Sequence, residues 1–193
     1  MLDIYVKDFI NLNDFEIDLV LNARNEEKVR KMCKNQNIIS RQEHADFMKS
    51  LHGDDTKKFF LVYVDSEPIG VISFTNIQEK KSSLGEYSIK SSVRFSSVIL
   101  NYIQFYYAFE VLKLDSIVTE ILDVNKKLIP YQLELNNARY GGVLKGFTTL
   151  LNGEKMDAHI IIYDKDKYIL SKENMITNIK ELLDIDDFRL VFC

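Results

Sequence analysis

The chain has 193 residues, of which 46% are hydrophobic and 28% charged, a composition typical of a globular protein with one core. The formal net charge is −4 and no run of adjacent basic residues is longer than two, which argues against the concentrated basic face of a dedicated nucleic-acid binder. The longest apolar run, Phe59 to Val64, is too short to cross a bilayer.

The first part of the chain predicts one strand and two helices. Residues 2–9 alternate weakly and predict an edge strand, and Asn13 predicts the cap of a helix. Ser40 and Glu43 match a capping box, which predicts the start of a second helix. The polar segment between them, residues 22–40, has the length of a binding loop, with a plain solvated loop as the alternative.

Two β-rich runs, FFLVYV and PIGVISFTNI, flank a short polar turn at residues 65–67 and predict an antiparallel hairpin. Both runs are nearly continuous in apolar residues. This pattern indicates strands that helices cover on both faces.

The stretch from Leu84 to Leu112 predicts a strand, a serine-rich turn and a long helix with a wide apolar face. A helix start leaves N–H groups without partners and carries partial positive charge, so this junction is a candidate anion site. We expect Ser96 or Ser97 to cap the helix and Arg94 to supply a cation suited to phosphate. The alternative is an ordinary capped helix without a ligand.

The second half predicts a strand at residues 116–121, a short helix capped by Asn125, and a hairpin around residues 152–153. An amphipathic pattern beyond that hairpin predicts one or two helices that either cover the sheet or form a homodimer contact. We therefore expect an α/β (α+β) domain over residues 1–163 and a helical extension over residues 164–193.

This order of elements, with the long helix directly after the fourth strand, resembles the GNAT superfamily of acyl-CoA-dependent N-acetyltransferases. The stretches FFLVYVDSEPIGVISFTNI, GEYSI, YAFEVLKLDSI and GVLKGF are similar to the subfamily that acetylates UDP-linked aminosugars in bacterial pseudaminic acid synthesis. The similarity extends from Asn11 to Tyr163. It implies a mixed, mainly antiparallel central sheet, acetyl-CoA as the acetyl donor, and a nucleotide-sugar acceptor.

The resemblance also implies a donor site at the fourth strand, the turn after it and the segment after the fifth strand. The implied cofactor-binding residues are Tyr87, Ser88, Ile89, Arg94, Ser96, Ser97 and Asn125. In the superfamily the turn carries small residues, because bare backbone must approach the CoA pyrophosphate. Phe95 and Ser97 stand at the two small positions of this chain.

The implied reaction is direct transfer, in which a neutral amine attacks the thioester and a backbone N–H of the fourth strand stabilises the oxyanion. Glu86 and Glu120 are the candidate bases, with a solvated strand carboxylate as the alternative for each. Tyr131 is the candidate acid for the CoA thiolate, although it stands one residue out of register with the superfamily position. A packed aromatic is its alternative.

Arg24, Asn25 and His44 are candidates for binding the sugar nucleotide, because the early helices flank the acceptor side in this superfamily. Arg24 suits a diphosphate. His44 lies inside a predicted helix, where a packing role is the alternative.

Two other functions stay open at this point. Phe95 and Ser97 favour a GNAT-fold protein without acyl-CoA activity that serves as a binding or scaffold module. An acetyltransferase for a protein amino terminus or a small amine fits the same fold. Cys33 and Cys193 form neither a disulfide framework nor a metal cluster, and the first residues lack a secretion signal. We expect a cytoplasmic enzyme with no metal and no nucleic-acid or membrane partner.

Overall fold

The computed structural model describes residues 1–193 as one eight-stranded sheet with helices on both faces. The strands are β1 (Leu2–Asp8), β2 (Lys58–Val64), β3 (Glu67–Gln78), β4 (Lys81–Ser88), β5 (Ser116–Leu122), β6 (Arg139–Thr149), β7 (Lys155–Asp164) and β8 (Phe188–Phe192). The helices are α1 (Asp14–Asn25), α2 (Glu27–Arg30), α3 (Arg41–Ser50), α4 (Ser96–Tyr106), α5 (Ile129–Leu135) and α6 (Lys165–Leu183).

The strand order in the sheet is β6-β7-β5-β4-β3-β2-β1-β8. Only the pairs β4–β5 and β1–β8 are parallel, and the other five are antiparallel. The predicted mixed, mainly antiparallel sheet is therefore confirmed.

Local capping signals set the starts of the two early helices. The Asn13 side chain accepts a hydrogen bond from the Glu16 N–H at 3.0 Å, and the Glu16 carboxylate accepts one from the Asn13 N–H at 2.8 Å. Ser40 and Glu43 make the same reciprocal pair at the start of α3. Each pair satisfies N–H groups that a helix start leaves free, so both predicted helix starts are confirmed.

The hairpin of β2 and β3 contributes to two apolar layers. Phe60 and Ile72 face α4 and α6, whereas Leu61 and Val71 face α1 and α3. All four side chains are buried. The nearly continuous apolar runs are therefore explained by helices on both faces of these strands, as the sequence predicts.

The amino-terminal strand is not at an edge of the sheet, so that prediction is wrong. β8 pairs in parallel along β1, from Leu2 opposite Phe188 to Val6 opposite Phe192. The predicted helical extension thus contains a helix and also a strand of the main sheet. Tyr168 of α6 packs into the core beneath α4, which makes this helix a cover for the sheet, and the homodimer contact stays a prediction. None of the helices is both long and apolar enough to cross a membrane.

Two predicted caps are wrong. α4 begins at Ser96, its N-cap is Phe95, and no side chain caps this helix start. Asn125 lies inside a 3-10 turn that begins at Asp123 and is capped by Leu122. Both errors concern turns whose conformation depends on distant contacts.

Candidate active site

The sheet opens between β4 and β5. These strands pair only from Lys81 opposite Ser116 to Ser83 opposite Val118, and the Thr119 hydroxyl then donates to the Leu84 carbonyl at 3.1 Å. Beyond that bond the two strands are no longer paired. A cavity of about 530 Å³ occupies this region.

Four parts of the chain form the cavity wall. The unpaired ends of β4 and β5 lie on one side, with the α4 residues Asn101 and Gln104 beside them. The early helices contribute Arg24 and His44, and the segment after β5 contributes Asn125 and further residues. The loop before α3 closes onto β6, where the Thr148 hydroxyl donates to the Lys34 carbonyl at 2.8 Å.

Glu86 projects from β4 into this cavity. Glu86 as a whole residue is exposed to the cavity, but protein atoms crowd around its carboxyl end, and Gln104 Nε2 donates a hydrogen bond to it at 2.7 Å. Burial raises the pKa of Glu86 to about 7, and the Gln104 bond acts in the opposite direction. The carboxyl group therefore exchanges protons near neutral pH, as a general base must.

Glu120 and Asn125 line the same cavity from β5 and the 3-10 turn after it. Neither side chain makes a hydrogen bond within the chain, so both are available to a ligand. The structure thus brings both predicted carboxylates, and the predicted asparagine, to one site.

The predicted acid, Tyr131, lies on α5 with 42% of its surface exposed. Burial of the remainder and the charge of Glu86 raise its pKa. Its neighbour Gln132, and not Tyr131, belongs to the cavity wall. The catalytic role of Tyr131 stays a prediction.

The predicted residues of β4 differ in what they offer. Tyr87 lines the cavity, and its hydroxyl is turned toward the Val20 carbonyl at 3.4 Å. Ser88 is exposed at the strand end. The Ile89 N–H already donates to the Ile69 carbonyl at 2.9 Å, so this group is not free for an oxyanion.

The turn before α4 is held by a carboxylate. Glu67 accepts hydrogen bonds from the Ser91 hydroxyl at 3.0 Å and from both the N–H and the hydroxyl of Ser92. These bonds hold the pKa of Glu67 below its usual range. Ser96 and Ser97 then follow at the helix start, where the first N–H groups have no partner within the helix.

Phe95 has a left-handed backbone conformation with φ of 59°, the region that glycine adopts most easily. Its side chain is 44% exposed, and the Arg94 guanidinium lies 5.9 Å from the ring centroid. The turn therefore has a backbone shape suited to glycine although a phenylalanine occupies the position.

Two polar atoms on the acceptor side lack partners. Arg24 Nη2 donates to the Asn35 carbonyl at 2.8 Å, but Nη1 is buried without a hydrogen bond. His44 is 6% exposed, and its Nε2 is buried without a partner. Burial lowers the pKa of His44, so the neutral ring is favoured. Buried polar atoms normally find partners, which makes these two atoms candidates for ligand contact.

Asn25 has a different position from the one predicted. Its side-chain amide donates to the Ile39 carbonyl and accepts from the Ile39 N–H, both at 2.8 Å. The residue is not in the cavity wall. Both hydrogen bonds fix the loop before α3, so the structure gives Asn25 a supporting contact.

Sequence reasoning missed Gln104 and Gln132. Gln104 is an amide within an otherwise apolar helix face, and this sequence pattern indicates a buried polar contact. The structure places the residue at 1% exposure. Gln132 directly follows the predicted Tyr131 on α5, and one of its side-chain partners, Tyr163, lies 31 residues away in the chain.

A mixed sheet that opens between its fourth and fifth strands, with a helix start after the fourth strand and a carboxyl group in the gap, defines an N-acetyltransferase of the GNAT class. No protein-family model matches the chain. Acetyltransferase PseH of Campylobacter jejuni serotype O:2 is 37% identical over 126 residues, which cover 65% of this chain and 79% of that protein. The PseH of serotype O:23/36 is 36% identical over the same length.

Solved structures agree with this relationship. The crystal structure of Campylobacter jejuni N-acetyltransferase PseH in complex with acetyl coenzyme A has a TM-score of 0.64 and 28% identity, covering 84% of this chain and 99% of that one. Spermidine N-acetyltransferase from Vibrio cholerae in complex with CoA and spermine has a TM-score of 0.75 at 16% identity, covering 87% and 98%, which shows the shared fold alone. The chain belongs to the PseH family of GNAT N-acetyltransferases. The prediction of an acyl-CoA-dependent N-acetyltransferase is thereby confirmed.

Proposed function

We propose that this protein transfers the acetyl group of acetyl-CoA to the amino group of a nucleotide-linked aminosugar. The observation that carries the proposal is one continuous cavity with two ends. It joins the gap between β4 and β5, where Glu86 lies, to the early helices that carry Arg24 and His44.

On the donor side, the thioester enters the gap between β4 and β5. The pyrophosphate lies at the start of α4, where Ser96, Ser97 and Arg94 supply hydroxyl, N–H and guanidinium groups. Tyr87 and Asn125 line the path of the pantetheine arm. The PseH crystal structure with acetyl coenzyme A supports this donor.

Glu86 acts as the general base. It accepts the proton that the attacking nitrogen loses while that nitrogen bonds to the carbonyl carbon, and the C–S electron pair moves to sulfur. A carboxyl group with a pKa of about 7 balances availability as a base with driving force for proton transfer at neutral pH. Glu120 is a second carboxylate in the same cavity and the alternative base.

On the acceptor side, Arg24 and His44 bind the nucleotide part of the substrate. A phosphate oxygen would supply Arg24 Nη1 with the acceptor that it lacks, and pairing with a charged oxygen is stronger than pairing with a neutral one. A neutral His44 presents Nε2 to a hydroxyl or N–H donor of the substrate.

The test combines calorimetry with mass spectrometry. We expect acetyl-CoA to bind, and a panel of UDP-linked aminosugars to include one that gains a single acetyl group. We expect Arg24→Gln to raise the KM for that sugar nucleotide about tenfold or more, because a charged hydrogen bond is lost. Arg41→Gln is the matched control, since Arg41 is an exposed partner of Asp18 outside the cavity.

Turnover of spermidine or a peptide amino terminus, with no reaction across the sugar panel, would move the acceptor to another class. An Arg24→Gln variant with unchanged KM would remove this residue from the binding site.

A further inference from the structure

Gln132 has a fixed orientation in the wall of the active-site cavity. Its Oε1 accepts two hydrogen bonds, one from the Tyr163 hydroxyl at 2.9 Å and one from Asn136 Nδ2 at 2.6 Å. Because both bonds end on the oxygen, the two N–H bonds of Nε2 point away from these partners. Nε2 makes no hydrogen bond within the chain and is a free donor.

The support behind this amide is rigid. Tyr163 is 4% exposed, and its ring lies 4.9 Å from that of Phe105 in the core. A buried tyrosine hydroxyl needs a partner, and Gln132 supplies it. The same contact therefore satisfies Tyr163 and holds the amide in one orientation.

Glu86 and this amide both belong to the wall of the active-site cavity. Burial and then the charge of Glu86 raise the pKa of Tyr163, the residue bonded to Gln132. Glu86 and Gln132 line the same cavity, from β4 and α5 respectively. Gln104 of α4 donates a hydrogen bond to the Glu86 carboxyl group, and the charge of that group raises the pKa of Tyr131 on α5.

An amide differs from a tyrosine in what it does for a leaving thiolate. Consecutive residues of a helix point about 100° apart, so Gln132 and Tyr131 cannot present side chains to the same point. The amide N–H stabilises negative charge on sulfur by hydrogen bonding, but it does not release a proton at neutral pH. The proton must then come from another group in the cavity.

We propose that Gln132 Nε2 donates a hydrogen bond to the CoA sulfur as it leaves, and that Glu86 carries the proton from the amine to that sulfur. The new C–N bond forms, the C–S bond breaks and sulfur takes its electron pair. The proton passes from nitrogen to the Glu86 carboxylate and then to sulfur, which yields the amide and CoA thiol and regenerates the carboxylate. This inference rests on acetyl-CoA as the donor but not on the identity of the acceptor.

The first test titrates the thiol of CoA bound to the protein, followed by thiolate absorbance, with no acceptor present. In the wild type we expect the thiol pKa to lie about one unit below that of free CoA, because a hydrogen bond favours the charged form. Gln132→Met removes the donors, and Gln132→Glu keeps the oxygen that Tyr163 needs but replaces the donors with a carboxylate. Both variants should return the thiol pKa to the value of free CoA or above it, whereas Tyr131→Phe should match the wild type.

The second test uses steady-state kinetics with the acceptor that the wild type acetylates. Gln132→Met should lower kcat about 10- to 100-fold, as expected for loss of one donor to a developing anion, and change the KM for acetyl-CoA little. Arg41→Gln, the exposed control outside the cavity, should keep kcat within about twofold. A thermal melt of each variant checks that the protein is folded at the assay temperature.

A thiol pKa that is unchanged in Gln132→Met but rises in Tyr131→Phe would overturn the inference and return the role to the tyrosine. A wild type that does not bind CoA would also overturn the inference. A wild type that binds CoA but acetylates no nucleotide sugar would overturn only the proposed acceptor, since the titration needs none.

Discussion

Replacing Gln104 by leucine removes the single hydrogen bond that the structure gives to the Glu86 carboxyl group. Gln104 is 1% exposed in α4, so leucine fills a similar volume and water does not readily take the place of the amide. Burial favours the neutral carboxyl group and the amide favours the charged one. The substitution therefore raises the pKa of Glu86 above its starting value of about 7.

The size of this change follows from the bond itself. A hydrogen bond to a charged group contributes about 1.5–3 kcal/mol, and a neutral carboxylic acid keeps part of that through a weaker bond. The difference between the two states is then about 1.4 kcal/mol, which is about one pKa unit. With a pKa near 8 instead of 7, the ionised fraction of Glu86 at pH 7 falls from about one half to about one tenth.

The assay is the pH dependence of kcat/KM for acetyl transfer between pH 5.5 and 9.5. We expect the acidic limb of Gln104→Leu to move upward by about one unit, with about fivefold less activity at pH 7 and nearly full activity at pH 9. Asn101→Leu is the matched control, because Asn101 lines the cavity from the preceding turn of α4 and has no bond to Glu86. An unmoved limb, or equal loss of activity at every pH, would refute the role of Glu86 as the base that Gln104 positions.

Three further substitutions test the fold and the site. Phe95→Gly should keep acetyl-CoA affinity in calorimetry within about twofold without lowering the melting temperature, because glycine adopts a φ of 59° at no steric cost and keeps the shape of the turn. Glu86→Gln should melt at a higher temperature than the wild type at pH 8 but not at pH 4. The folded pKa of about 7 lies above the usual 4.5, so this carboxyl group destabilises the fold as the pH rises through that interval. Phe74→Ala should lower the free energy of unfolding in urea by about 3–5 kcal/mol, because this ring is fully buried.

Local signals in the sequence were sufficient for most elements. The capping pairs at Asn13 and Ser40 involve residues three positions apart, so the sequence contains both partners. The hairpin of β2 and β3 is equally local, since its turn residues and apolar runs are adjacent. These predictions are confirmed because short-range chemistry decides them.

Contacts between residues far apart in the chain could not be predicted from the sequence. One of the two partners of β1 is β8, whose paired residues lie 186 positions later, and only the folded chain shows that pairing. Asn25 looked like a ligand for substrate, yet its amide is used by the backbone of Ile39. The bond between Gln104 and Glu86 likewise joins a helix to a strand, so the sequence indicates a buried amide in α4 but not what it contacts.

In the turn before α4, the absence of glycine is weaker evidence against a ligand site than the comparison with the superfamily's small residues implies. The superfamily requires a backbone that approaches a phosphate, and Phe95 already has the left-handed conformation that glycine would provide. Its ring is partly exposed beside Arg94, so the side chain does not have to occupy the space in front of the helix start. Glu67 also fixes the backbone of this turn, because it accepts hydrogen bonds from the N–H and the hydroxyl of Ser92. The absence of glycine therefore adds backbone strain to the turn but leaves its shape largely the same. The binding of an anion at a helix start depends on that shape.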